Sequence, residues 1–112
     1  MSKKLFKRYD FEFDKNDKKL LITFCSQVIR QMEGDQRFAR DVNVFSSIIS
    51  KLKQDTEKVK LTKEEKTKLV LQLKENIKYA EKEMKKSWFI KRWMLKSMYK
   101  QYVGLIQKYF EE

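Results

Sequence analysis

Apolar side chains recur along most of this chain at steps of three and four residues, the period of an α-helix that buries one face. Leu20, Phe24, Val28 and Met32 fall on one stripe, and Phe38, Val42, Phe45, Ile49 and Leu52 on a second. A third seam runs through Val70, Leu73, Ile77, Ala80 and Met84, and a fourth through Leu95, Met98, Tyr102, Leu105 and Tyr109. Together they predict helices over about 16–33, 37–58, 63–86 and 88–110, hence an all-α, antiparallel four-helix bundle in a single domain of residues 1–112.

Residues 1–15 have a different period. Tyr9, Phe11 and Phe13 alternate with polar neighbours, downstream of Leu5 and Phe6, which predicts an extended aromatic arm lying across the bundle. Either its rings cap one end of the core, or the arm docks on a second copy of the chain and makes a homodimer.

The helix boundaries have local chemistry. Asp14 to Asp17 can satisfy the free backbone N–H groups at the start of the first helix, and Gly34 tolerates a left-handed conformation at its end. Asp35 or Asp41 can cap the second. Thr62 with Glu65 three residues later forms a capping box, and Glu64 and Glu65 also complement the helix dipole, so the third helix begins there. Ser87 is the expected cap of the fourth. The junction at Lys85-Lys86-Ser87 has no Gly or Pro, but one continuous helix to residue 110 would be roughly 70 Å long, far longer than its partners, which favours a break.

Composition agrees with a helical reading: the 112 residues include no Pro and two Gly. With 38% charged and 13% aromatic residues, the chain has enough apolar side chains to fold despite its polarity. The single cysteine, Cys25, sits among apolar neighbours and reads as a buried thiol, which suits a reducing, cytoplasmic compartment. The first residues do not read as a signal peptide, and no apolar run is long enough to span a bilayer.

The net charge of +11 favours acidic partners. Residues 84–110 concentrate it: they hold Lys85, Lys86, Lys91, Arg92, Lys96, Lys100 and Lys108, no Asp or Glu, and both tryptophans, Trp88 and Trp93. Arg92, Lys96 and Lys100 form one positive stripe at i, i+4 and i+8. Beside the core seam of this helix lies a second apolar row, Tyr99, Val103, Ile106 and Phe110, which is either core or surplus surface for a partner. The partner-binding candidates are therefore Trp88, Arg92, Trp93, Lys96, Tyr99 and Lys100, residue types that give large contact area or charge at interfaces. If the partner carries phosphates, whether on nucleic acid or on lipid headgroups, the candidates are Lys85, Lys86, Lys91, Arg92, Lys96 and Lys100. A merely solvated basic face is the plainer alternative.

Catalytic chemistry finds no support in the residues. There is no His, no Gly-rich phosphate loop, no nucleophile beside a base, and no set of potential metal ligands at a known spacing. No catalytic residue, metal, cofactor or small-molecule substrate is expected. Nor is there a helix-turn-helix, because the helix after Gly34 starts with an apolar face and not a base-reading one.

The four-helix plan, with Leu61-Thr62-Lys63-Glu64-Glu65 opening a Leu- and Lys-rich third helix through Ala80, resembles the immunity proteins of pediocin-like bacteriocins. That resemblance implies a cytosolic antiparallel bundle that protects its producer, acting at the inner membrane face on a sugar-transporter receptor with its bound bacteriocin. The expected function is thus a non-catalytic binding protein, immunity-like, with a membrane-associated protein as partner. The alternative is an accessory nucleic-acid-binding protein of a phage or plasmid.

Overall fold

The computed structural model describes residues 9–111. The protein is of the all-α, helical-bundle class, as the periodicity predicts. Its elements are β1 (Tyr9–Phe11), α1 (Lys15–Met32), α2 (Ala39–Lys53), β2 (Val59–Leu61), α3 (Lys63–Lys86) and α4 (Phe89–Leu105), with a 3-10 turn at Gln36–Phe38 and a π-helical turn at Ile106–Phe110. Two compact units divide the chain, one up to Leu69 and one from Val70 onward.

In the first unit α1 and α2 pack along each other. Asp14 caps α1 by accepting from the Asp17 N–H at 2.8 Å. Gly34, at φ 88°, makes the turn out of that helix. Asp35 caps only the 3-10 turn, accepting from the Arg37 N–H, and α2 proper starts at Ala39. The core of this unit is Phe13, Leu21, Phe24, Cys25, Val28, Val44, Phe45, Ile48, Leu52, Val59, Leu61 and Leu69. Burial pushes the Cys25 thiol up to about 12, so it stays protonated and unreactive.

This unit departs from the predicted plan in two places. The second helix, expected over 37–58, ends at Lys53, because the chain turns through Gln54 to Lys58. The Thr56 N–H bonds the Gln54 carbonyl at 2.9 Å, and its hydroxyl donates to Lys58 O at 3.0 Å. The next element is β2, absent from the predicted plan, and it pairs antiparallel with β1 in the register Tyr9↔Leu61, Asp10↔Lys60, Phe11↔Val59. The described part of the arm is thus extended, and it pairs with a strand of its own chain. Phe11 and Phe13 stack at 5.2 Å between centroids, with Phe13 buried. Leu5 and Phe6 lie outside the described residues.

In the second unit Leu73, Ala80, Leu95, Tyr102, Leu105 and Phe110 are buried. Helices α3 and α4 are separate, with Ser87 and Trp88 between them. Ser87 does not cap α4, contrary to expectation. Its hydroxyl donates back to the Glu83 carbonyl at 2.6 Å, and the Arg92 guanidinium donates to the Ser87 carbonyl at 2.9 Å. Carbonyls at the end of α3 are satisfied this way without Gly or Pro, while Trp88, in extended backbone, occupies the cap position of α4 with no side-chain cap.

Candidate functional site

The break between α3 and α4 sets up the candidate site. Because Trp88 is extended and Phe89 opens the helix, five large apolar side chains are displayed around the first turns of α4. Trp93 is 73% exposed, Phe89 70%, Trp88 67%, Met94 57% and Ile90 50%. Helical spacing explains why. Leu95, Tyr102 and Leu105 claim the inward face, and Phe89, Trp93, Lys96 and Lys100, at steps of four, three and four, run along the opposite one. Trp88 and Phe89 meet edge to face at 5.9 Å. Exposed apolar clusters rimmed by charge are, as a class, often found at interaction sites.

The cations divide into two sets. Lys86 and Lys91 each approach the Glu83 carboxylate at 3.8 Å, so one carboxylate partly neutralises both. Among the described residues Lys85, Lys96 and Lys100 have no ion-pair partner. Lys96 and Lys100 border a shallow depression of about 300 Å³ together with Trp93 and Ser97. A larger open groove, about 730 Å³, is lined by Glu81, Met84, Lys85, Arg92 and Tyr99. No acid stands in the first turn of α4, and the helix N-terminus adds its own partial positive charge there.

Of the sequence-derived partner-binding residues, Trp88, Arg92, Trp93, Lys96 and Lys100 are exposed on α4 or at its start, whereas Tyr99 is half-buried in the groove. The phosphate-binding set is likewise exposed, although Lys86 and Lys91 share Glu83. Of the two readings of the second apolar row, core or spare surface, burial favours core. Val103 and Ile106 of the second row are half-buried and Phe110 is buried, so that row belongs to the packed side. Phe89, Ile90 and Met94, outside the predicted set, carry the surplus instead.

The paired acids Glu64 and Glu65 are structural. Arg40 grips Glu64 at 2.8 and 3.2 Å. Glu65 is buried and accepts from Lys51 Nζ and Ser47 Oγ, both at 2.6 Å, and from the Thr62 N–H at 2.9 Å. In return the Glu65 N–H donates to Thr62 Oγ1 at 3.1 Å, completing the capping box. Burial raises the Glu65 pKa, but the hydrogen bonds from Lys51, Ser47 and Thr62 outweigh it and hold the carboxyl below its usual range. Among the described residues no group of three potential metal ligands occurs, and no helix is long and apolar enough to cross a membrane. No protein-family model, curated protein or solved structure matches the chain.

Proposed function

We propose that this chain is a non-catalytic binding protein that works at the cytoplasmic face of a membrane, on a membrane-associated partner, and whose contact surface is the first half of α4. The observation that carries this reading is the exposure of Trp88, Phe89, Ile90, Trp93 and Met94 beside unpaired Lys96 and Lys100. Leaving five large apolar side chains in water forgoes stability that burial would supply, and partner contact recovers it. The adjacent acids Glu64 and Glu65 are held in ion pairs with Arg40 and Lys51.

Capture from separated membrane and soluble cell fractions, using the wild type and a Trp88→Ala, Trp93→Ala double variant, tests this reading. Membrane-fraction material should be retained by the wild type and lost by the variant at an unchanged melting temperature. Equal retention by both overturns it. The immunity version carries its own test, expression in strains sensitive to pediocin-like bacteriocins. Protection supports it, and sensitivity across the panel removes that version while the binding surface stands.

The nucleic-acid reading draws on the unpaired Lys85, Lys96 and Lys100. It predicts affinity that falls with salt at a log–log slope near 0.9 per phosphate neutralised on duplex DNA.

A further inference from the structure

Resting on the binding reading above, we infer that the occupant of the α4 surface is the lipid itself: Trp88, Phe89, Ile90, Trp93 and Met94 enter the interface of an anionic bilayer, and Lys96 and Lys100 hold its headgroup phosphates. Three observations favour lipid over other partners. The five side chains are each at least half exposed at the start of one helix, and the depression that Trp93 borders is shallow, so they project into solvent. Two of the five, Ile90 and Met94, are not aromatic; they stack poorly on bases and would stay in water along a phosphate-tracking groove, but they gain directly from the acyl boundary.

The order along the exposed row is the third observation. Phe89 and Trp93 come first, then Lys96 and Lys100 one and two turns on, without a carboxylate partner. This arrangement suits a headgroup layer, where the indole sits at the boundary and a long ammonium side chain reaches the phosphates. Residues 84–110 contain no acid, so nothing on this stretch repels an anionic surface. No helix among the described residues is long and apolar enough to cross a bilayer, and the inferred contact is a peripheral one.

The test uses the full chain with three probes: phosphatidylcholine vesicles, the same vesicles containing phosphatidylglycerol, and a DNA duplex. Both tryptophans of the protein lie in the proposed contact, so their emission reports it directly. Anionic vesicles should sediment the chain and shift its emission to the blue, and neutral vesicles should do so at least about fivefold more weakly for each lysine engaged. Trp88→Ala with Trp93→Ala should abolish sedimentation, and Lys96→Gln with Lys100→Gln should weaken it by roughly an order of magnitude or more. No sedimentation with anionic vesicles, or sedimentation that the tryptophan variant leaves unchanged, overturns the inference. A tryptophan-dependent complex with the duplex and none with vesicles also overturns it, and assigns the surface to nucleic acid. If vesicles fail but membrane-fraction capture still depends on Trp88 and Trp93, the partner is a protein and the broader reading survives. If both fail, the broader reading falls as well.

Discussion

Two helix starts in this molecule are built in opposite ways. Helix α3 opens with a reciprocal capping box, two acids in its first turn, and ion pairs from Arg40 and Lys51 of α2. Helix α4 opens with no side-chain cap, no acid, and Trp88, Phe89, Ile90 and Trp93 in solvent. At the first start both carboxylates are matched inside the chain and the helix dipole is complemented. At the second, Lys91 shares Glu83 and Arg92 donates to the Ser87 carbonyl. The rings nevertheless stay exposed, and among the described residues Lys96 and Lys100 beyond them have no ion-pair partner. One helix start is thus closed by contacts within the chain, and the other leaves its apolar side chains exposed.

Breaking the packed side should cost the most. Phe45→Ala removes a fully buried ring from α2 and should destabilise by about 3–5 kcal/mol in denaturant unfolding. Leu105→Ala, buried on α4, should cost about 2–5 kcal/mol, and serves as the reference for what a core position on that helix is worth.

The α3 start comes next. Glu65→Ala removes the capping acceptor and leaves Lys51 and Ser47 without their shared carboxylate, an expected loss of about 1–3 kcal/mol. Acidification should reproduce part of it. The folded-state pKa of Glu65 lies below its unfolded value, so on lowering the pH the unfolded chain takes up the proton first. The stability Glu65 provides is therefore present above the ordinary glutamate range and lost as pH falls through the lower folded value. The unfolding free-energy gap between wild type and Glu65→Gln should narrow as the pH falls below the ordinary glutamate range, and a gap independent of pH would remove the ionised network.

How much of this was legible in the sequence depends on how local each signal is. The capping box could be read because Thr62 and Glu65 are three residues apart, and α3 indeed spans Lys63–Lys86. The ion pairs that bind it to Arg40 and Lys51 could not, since they depend on how α2 lies beside it. Strand β2 escapes sequence reading for the same reason: Val59-Lys60-Leu61 is too short to declare itself and exists by pairing with Tyr9–Phe11, far away in sequence. The seams are right in period, and Phe24, Val28, Phe45, Leu52, Leu73, Ala80, Leu95, Tyr102 and Leu105 are buried as expected, but the first two stripes are wider than read. Leu21 is buried where Leu20 was expected, and Val44 and Ile48 where Val42 and Ile49 were, because an apolar stripe wide enough to fill a core has more than one plausible centre.

At the candidate site, composition points to Trp88 and Trp93, but spacing alone leaves the Tyr99 to Phe110 row open between core and partner surface. A further signal lies in the same helix. Phe89, Trp93 and the two lysines after them lie opposite Leu95 and Tyr102, so an apolar residue among them has no core to enter.

The smallest expected effect is also the most direct test of the central claim, that the start of α4 is kept for contact and not for folding. The unfolding free energy of the Trp88→Ala, Trp93→Ala double variant should lie within about 1 kcal/mol of wild type, since both rings are mostly exposed and surface changes away from special features usually stay within about 0.5 kcal/mol each. A loss of several kcal/mol, comparable to that of Leu105→Ala, would mean the two rings are core and would contradict it.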